Sequence, residues 1–387
     1  MTLVITGGPL FDGIRFYAQG SVLIENGRVS EIRHDLATAG ETGLPGHIID
    51  TRGDLIMPGL VDLHSDSLER SIEKRKGVYF DVEFAILNLD RLLASCGITS
   101  FFHAISFADN ELGLRSPAEA EKCVRQIKAF QDSGQALVRH KVHIRYEVGS
   151  EQSFRVIKTL LDQELVDLIS IMDHTPGQGQ FKSLAEYMEF NLAEYRVSRQ
   201  EVLERAKNKQ ENNQRSWEMI AELARTMAAY GIPMLSHDDD TPSKIDLIHA
   251  MGIRASEFPV SMAAAQRAVQ CGMSVFMGSP NLIRDCSTNG NLKASDAMRQ
   301  GALTGLVSDY YPESLCQAAF TAAHHLGGLE KGLGMATSGP GGFVNTPDGP
   351  GVLAPGGDAD LIIVNQDHNW AHVTHAFVRG RRIFRAG

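Results

Sequence analysis

Apolar positions along the chain change their period twice. In the first fifty residues they form short runs, as in "SVLIENGRVSEI", where Asn26-Gly27 between two apolar-rich segments predicts a two-residue hairpin. From about residue 58 to about 330, brief apolar strands alternate with helical stretches, the rhythm of a parallel sheet with crossover helices. Strand-like "DADLIIVN" and "HAFVRGRRIFRAG" return at the far end. The pattern predicts an α/β chain with a (β/α)8 TIM-like barrel over residues 58–330 and a small β-sandwich domain built from residues 1–57 and 331–387.

Eight segments read as barrel strands: "GLVDLHSD", "GITSFFHAI", "KVHIRYEV", "VDLISIMDH", "IPMLSHDD", "RASEFP", "MSVFMG" and "TGLVSDYY". Ser116-Pro117 supplies a cap and a first-turn proline for one helix, and Ser198 with Glu201 makes a capping box ahead of a charged helix ending near Gly231. The glycine-rich stretch from 336 to 360 reads as a loop returning the chain to the small sheet.

Side chains alternate along a strand, so residues two apart share a face. This predicts Asp62, His64 and Asp66 on the inner side of the first barrel strand, with Val61 and Leu63 packed on helices. In "KVHIRYEV" it sets His143, Arg145 and Glu147 opposite Val142, Ile144, Tyr146 and Val148. His174, His237, Asp238 and Asp309 sit where further apolar strands end, and a barrel gathers its chemistry at the carboxyl ends of its strands. Imidazole and carboxylate are donors for a divalent ion, and three histidines with three carboxylates suffice for two ions. His103 and His143 do not end their strands and read as hydrogen-bonded structural groups. His324, His325, His368, His372 and His375 read as surface or sheet residues.

The 387 residues, 43% hydrophobic and 22% charged, are those of a folded globular protein. No apolar run reaches the roughly 18 residues of a membrane span, and "MTLVITGGPLFDG" has no signal-peptide pattern, so a cytoplasmic protein without a membrane partner is expected. Five cysteines without a CxxC pair fit reduced thiols. A net charge of -10 argues against nucleic-acid binding and means that an anionic substrate needs local cations.

"MPGLVDLHSD", "SIMDHTPGQGQF", "LSHDDDTP", "SEFP", "GSPNLIRDCSTNGNLKASD", "SDYYPESL" and "APGGDADLIIV" together resemble the amidohydrolase superfamily, and within it the phosphonate-metabolism branch of the carbon-phosphorus lyase pathway. Many superfamily members carry a second histidine on the first strand, whereas this branch, like this chain, has aspartate there, Asp66. The common asparagine-proline-alanine helix start is replaced by "ATSGPGGF".

The resemblance implies metal ligation by His64, Asp66, Glu147, His174, His237 and Asp309, with Asp309 also orienting and deprotonating the attacking water. One or two zinc ions are implied, with manganese as an alternative. The implied substrate is a small phosphorylated sugar phosphonate, alpha-D-ribose 1-methylphosphonate 5-triphosphate, cleaved to the 5-phosphate and pyrophosphate. "PNLIRDCSTNGN" by composition is a solvated loop; the resemblance makes it the phosphate grip, through Arg284, Asn281, Ser287, Asn289 and Asn291, with Gln178 and Gln180 as further contacts. Arg70, Lys74, Arg75 and Lys76 form a second cationic run. Hydrolysis of an amide or cyclic imide by the same centre, a non-catalytic scaffold role and assembly into a homo-oligomer all stay open at this point.

Overall fold

The computed structural model describes residues 2–34, 46–109, 113–173, 183–185, 188–189, 192, 198–211, 213–287, 290–344, 346, 349–366 and 370–386. The chain opens with β1 (Thr2–Phe11), β2 (Phe16–Glu25), β3 (Arg28–Arg33), β4 (His47–Asp50) and β5 (Leu55–Pro58). The barrel follows with β6 (Leu60–Ser65), β7 (Ile98–Phe107), β8 (Arg139–Glu147), β9 (Leu168–Met172), β10 (Met234–His237), β11 (Ala255–Glu257), β12 (Ser274–Gly278) and β13 (Gly305–Val307). The chain ends with β14 (Leu361–Asn365), β15 (His372–Val378) and β16 (Arg381–Arg385).

All eight segments read as barrel strands are strands, paired in parallel in chain order from β6 to β13. A parallel bridge between Ser65 and Asp309 brings the last strand back to the first. The other eight strands form a separate, mainly antiparallel sheet from both ends of the chain, with β5 between β1 and β14. Asn26 and Gly27 both take positive φ, 51° and 81°, at the β2–β3 hairpin, the geometry that an Asn-Gly turn favours. No helix among the described residues is long and apolar enough to cross a membrane.

Two apolar layers hold the barrel. Its interior is filled by Val61, Leu63, Phe102, Leu168, Leu235, Ala255, Phe276 and Val307. Outward residues such as Val142, Ile144, Ile169, Val275 and Leu306 pack instead with helices that include Val82–Cys96, Pro117–Asp132 and Glu151–Asp162. Each large side chain so buried contributes roughly 1.5–3 kcal/mol.

Val61 and Leu63 are thus interior residues, not the helix-facing ones that simple alternation predicts. The register between β6 and β7 shifts on both sides of Val61 and Asp62, and an irregularity of this kind re-aims side chains beside a site. The stretch read as a loop from 336 also contains a helix, Ser338–Val344, and Phe343 and Val344 pack into the barrel interior from the amino-terminal end. Glycine suits this helix because a Cβ on Gly341 would lie 2.0 Å from the Pro350 carbonyl oxygen. The charged helix after Ser198 is described as Arg199–Glu211 and Asn213–Tyr230. As a division of the chain we propose 1–57 with 331–387 for the sheet module and 58–330 for the barrel, with Phe343 and Val344 serving the barrel.

A buried ion cluster joins the two parts. Arg139, at the start of β8, donates to Asp360 through Nε at 2.6 Å and to Asp358 through Nη2 at 2.6 Å. All three side chains are at most 9% exposed. Removing one partner of such a group strands buried charge, so Arg139→Ala is expected to cost about 3 kcal/mol in chemical denaturation. A loss under about 1 kcal/mol would show that the cluster does not couple the modules.

Candidate metal centre

The tips of β6, β10, β11 and β13 meet at the carboxyl end of the barrel. His64 Nδ1 lies 3.0 Å from Glu257 Oε2, and its Nε2 lies 3.6 Å from Asp66 Oδ1. The His64 and His237 ring centroids are 5.5 Å apart, and Phe258 packs against both rings at 5.0 Å. Two donor sets result, each with its ligand atoms within 4.8 Å of one another: His64, His237 and Glu257, and His64, Asp66 and Asp309.

Backbone geometry aims these tips. Asp238, Phe258 and Asp309 each follow a barrel strand with positive φ, at 55°, 52° and 60°. Non-glycine residues pay for this conformation with roughly 1–3 kcal/mol each, and such strain collects at functional sites. At each turn the N–H still serves the neighbouring strand: Asp238 donates to the Glu257 carbonyl, Phe258 to Phe276 and Asp309 to His64. The Asp66 N–H donates in return to the Asp309 carbonyl at 2.6 Å, so the first and last tips lock together. Below them, Asp62 accepts from the Ser308 N–H, and burial pushes its carboxyl up to about 6.

The donors are buried and short of partners. Both His64 ring nitrogens, His237 Nδ1 and both Glu257 oxygens lack a hydrogen bond of acceptable geometry, although a buried polar atom without one ordinarily costs about 1–3 kcal/mol. Imidazole nitrogens and carboxylate oxygens converging in this way fit a divalent cation. Burial opposes charge on His64, but Glu257 and Asp66 overcome it and push the imidazolium up to about 10. Burial likewise opposes charge on Glu257, yet the neighbouring imidazoles hold its carboxyl near about 2. Burial and the repulsion of Asp66 raise Asp309 to about 7.

No family model matches the chain. Alpha-D-ribose 1-methylphosphonate 5-triphosphate diphosphatase of Escherichia coli is 31% identical over 375 residues, covering 94% of this chain and 96% of the relative. The chain belongs to this diphosphatase family. Solved structures agree on the fold. A prolidase complexed with N-methylphosphonate-L-proline matches with a TM-score of 0.65 at 19% identity, over 100% of both chains. N-acetyl-D-glucosamine-6-phosphate deacetylase from Mycobacterium smegmatis matches with 0.66 at 14%, over 99% of this chain and 100% of that one.

Within this diphosphatase-family site the structure brings together His64, Asp66, His237 and Asp309 of the residues expected from sequence. Glu147 ends β8 and is buried, but it lies outside both donor sets. His174 and Gln180, like Gln178 and Asn289, lie outside the described residues. In the expected phosphate loop, Asn281 is occupied by the loop itself, donating to the Leu292 carbonyl and accepting from the Ala294 N–H. Ser287 accepts from the Asn291 N–H, so these two also brace the turn. Arg284 ends the helix Ser279–Arg284 and is exposed.

Two residues were missed. Glu257 pairs in register with His237 across β10 and β11, and that alignment of tips was the available signal. Arg145 faces inward as alternation predicts, and its Nη1 donates to Asp66 Oδ1 at 2.8 Å while Nη2 lies 3.4 Å from His237 Nε2. A fixed cation thus stands among the carboxylates. His143 keeps its structural role: its Nδ1–H donates to the Leu63 carbonyl and its Nε2 accepts from Ser170. Behind the tips, Asp239 accepts from Ser236 and Ser256 and pairs with buried Lys244, which also reaches the His237 carbonyl at 3.3 Å. Burial pushes the thiols of Cys96, Cys123 and Cys316 up to about 12, which disfavours a thiolate nucleophile.

Metal affinity is expected to rise with pH, because His64 holds a proton below about 10 and Asp309 below about 7, and both must be lost on ligation. Chelator competition should show roughly tenfold tighter binding per pH unit for each proton released, steeper below neutrality than above it. Affinity unchanged between about pH 6 and pH 8 would contradict these protonation states. Glu257→Gln should weaken binding by roughly 100-fold or more, and undiminished metal content would remove Glu257 from the ligand set.

Proposed function

We propose that the chain hydrolyses alpha-D-ribose 1-methylphosphonate 5-triphosphate to the 5-phosphate and pyrophosphate in phosphonate catabolism, using a divalent metal, zinc or manganese. The observation that carries this reading is the near full-length match to a diphosphatase named for that reaction. The converging donors support it, since a divalent ion held there would lower the pKa of water towards neutrality.

The chain's own residues supply the rest. Asp309, gathered with His64 and Asp66 at the barrel mouth, is placed to take the proton of the attacking water. Water oxygen bonds to the phosphorus nearest the sugar while the bond to the bridging oxygen breaks, and pyrophosphate leaves with that electron pair. Arg145 offsets negative charge beside the reacting phosphoryl group, and Arg284 grips the outer phosphates. Asn281, Ser287 and Asn291 serve this grip by holding the loop in shape. His174 and Glu147, as further ligands, and Gln180, as a substrate contact, remain part of the proposal from the family pattern.

A 35% match over 101 residues to a dihydroorotase of Leifsonia xyli subsp. xyli favours a second reading, cyclic amide hydrolysis, but spans 26% of this chain and 19% of that relative. Incubating metal-loaded protein with the ribose triphosphate and with dihydroorotate separates the two. Pyrophosphate release, reduced at least roughly 100-fold by Asp309→Asn, is expected. Turnover of dihydroorotate without pyrophosphate release would reverse the assignment.

A further inference from the structure

Two arginines converge on one tyrosine beside Asp309. Arg70, on the helix Ser67–Ile72 that follows β6, holds its guanidinium carbon 5.0 Å from the centroid of the Tyr310 ring. Arg284 comes from the other side of the barrel closure, at the end of the helix after β12, and has the side chain of the same tyrosine beside it, which favours its charged form. Both arginines are exposed, and among the described residues neither has a carboxylate in ion-pair range. Many arginines elsewhere in this acidic chain do, including Arg115, Arg125, Arg139 and Arg267. Like charges gathered without counter-ions repel, and an anion placed between them relieves the repulsion.

The ring is the common neighbour of the pair. Its face holds Arg70 by a cation–π contact, and the tyrosine side chain neighbours Arg284. A guanidinium edge matches phosphate oxygens bidentately. Tyr310 follows Asp309 directly in the chain, so the arrangement begins one residue from the proposed base.

We propose that Arg70, Tyr310 and Arg284 form a clamp for the outer two phosphates of a polyphosphate tail, and that this clamp selects triphosphates over monophosphates. It deepens the diphosphatase reading and rests on it for the identity of the tail. Arg70 and Tyr310 become specificity residues beside Arg284, and the departing pyrophosphate is the group they hold.

Calorimetric titration of metal-loaded protein with inorganic tripolyphosphate and with orthophosphate tests the clamp without turnover. Wild type should bind tripolyphosphate at least roughly tenfold more tightly than orthophosphate, while Arg70→Gln and Arg284→Gln should each remove most of that preference and leave metal content unchanged. Arg70→Lys and Arg284→Lys, which keep charge but lose the fork, should fall between. On the ribose triphosphate the glutamine variants should raise KM with little change in kcat. Equal binding of the two anions by wild type, or an undiminished preference in both glutamine variants, would overturn the clamp. If wild type prefers tripolyphosphate yet releases no pyrophosphate from the ribose triphosphate, the clamp stands and the diphosphatase reading falls.

Discussion

The meeting of the first and last barrel strands governs the rest of the site. Asp309 donates to the His64 carbonyl, Asp66 donates to the Asp309 carbonyl, and Ser308 bonds both Asp62 and Ser65. These short contacts join residues nearly 250 positions apart, as the separation of 246 between Asp62 and Ser308 shows. Without them His64 and Asp66 would have no fixed relation to Asp309. The left-handed turns at Asp238, Phe258 and Asp309 are sustained by the same ladder, since each turn residue donates its N–H to the next strand.

What this closure assembles is an electrostatic problem. Glu257, Asp66 and Asp309 are brought out of water beside two imidazoles, and Arg145 alone does not satisfy them. Glu257 and Asp66 favour a proton on His64, and burial beside Asp66 raises the Asp309 carboxyl. Burying ionised groups is expensive unless they are paired, so the set is poised to exchange protons for a cation. The buried Lys244–Asp239 pair and its two serines hold the β10 and β11 tips in place while that exchange occurs. Holding the surrounding groups of a metal site in this way is as much a part of it as the ligands.

Much of this was legible in the residue pattern, and for physical reasons. Eight short apolar strands between amphipathic helices leave few alternatives to a barrel, and a polar residue ending such a strand must face its mouth. That logic places His64, Asp66, His237 and Asp309 at the mouth, where the structure gathers them. Glu257 escapes it, because β11 is only three residues long and its acid has no histidine beside it in sequence. Arg145 was placed on the inner face but given no role, since its partners come from β6 and β10. Leu63 was set on the wrong side because alternation ignores the register shifts of β6. The helix Ser338–Val344 was hidden by glycines whose use, close backbone contact at Pro350, exists only in the folded chain.

The family relationship and the site's chemistry meet in one claim, that the buried donors around His64 exist to bind a divalent ion. Anomalous diffraction at the zinc edge from crystals grown with the metal tests it most directly. The expected result is a peak between His64 and Glu257 or between His64 and Asp309, at about 2.0–2.2 Å from imidazole nitrogen and carboxylate oxygen. A crystal whose bound zinc lies only elsewhere, with His64 and Glu257 still facing each other as an ion pair, would contradict it.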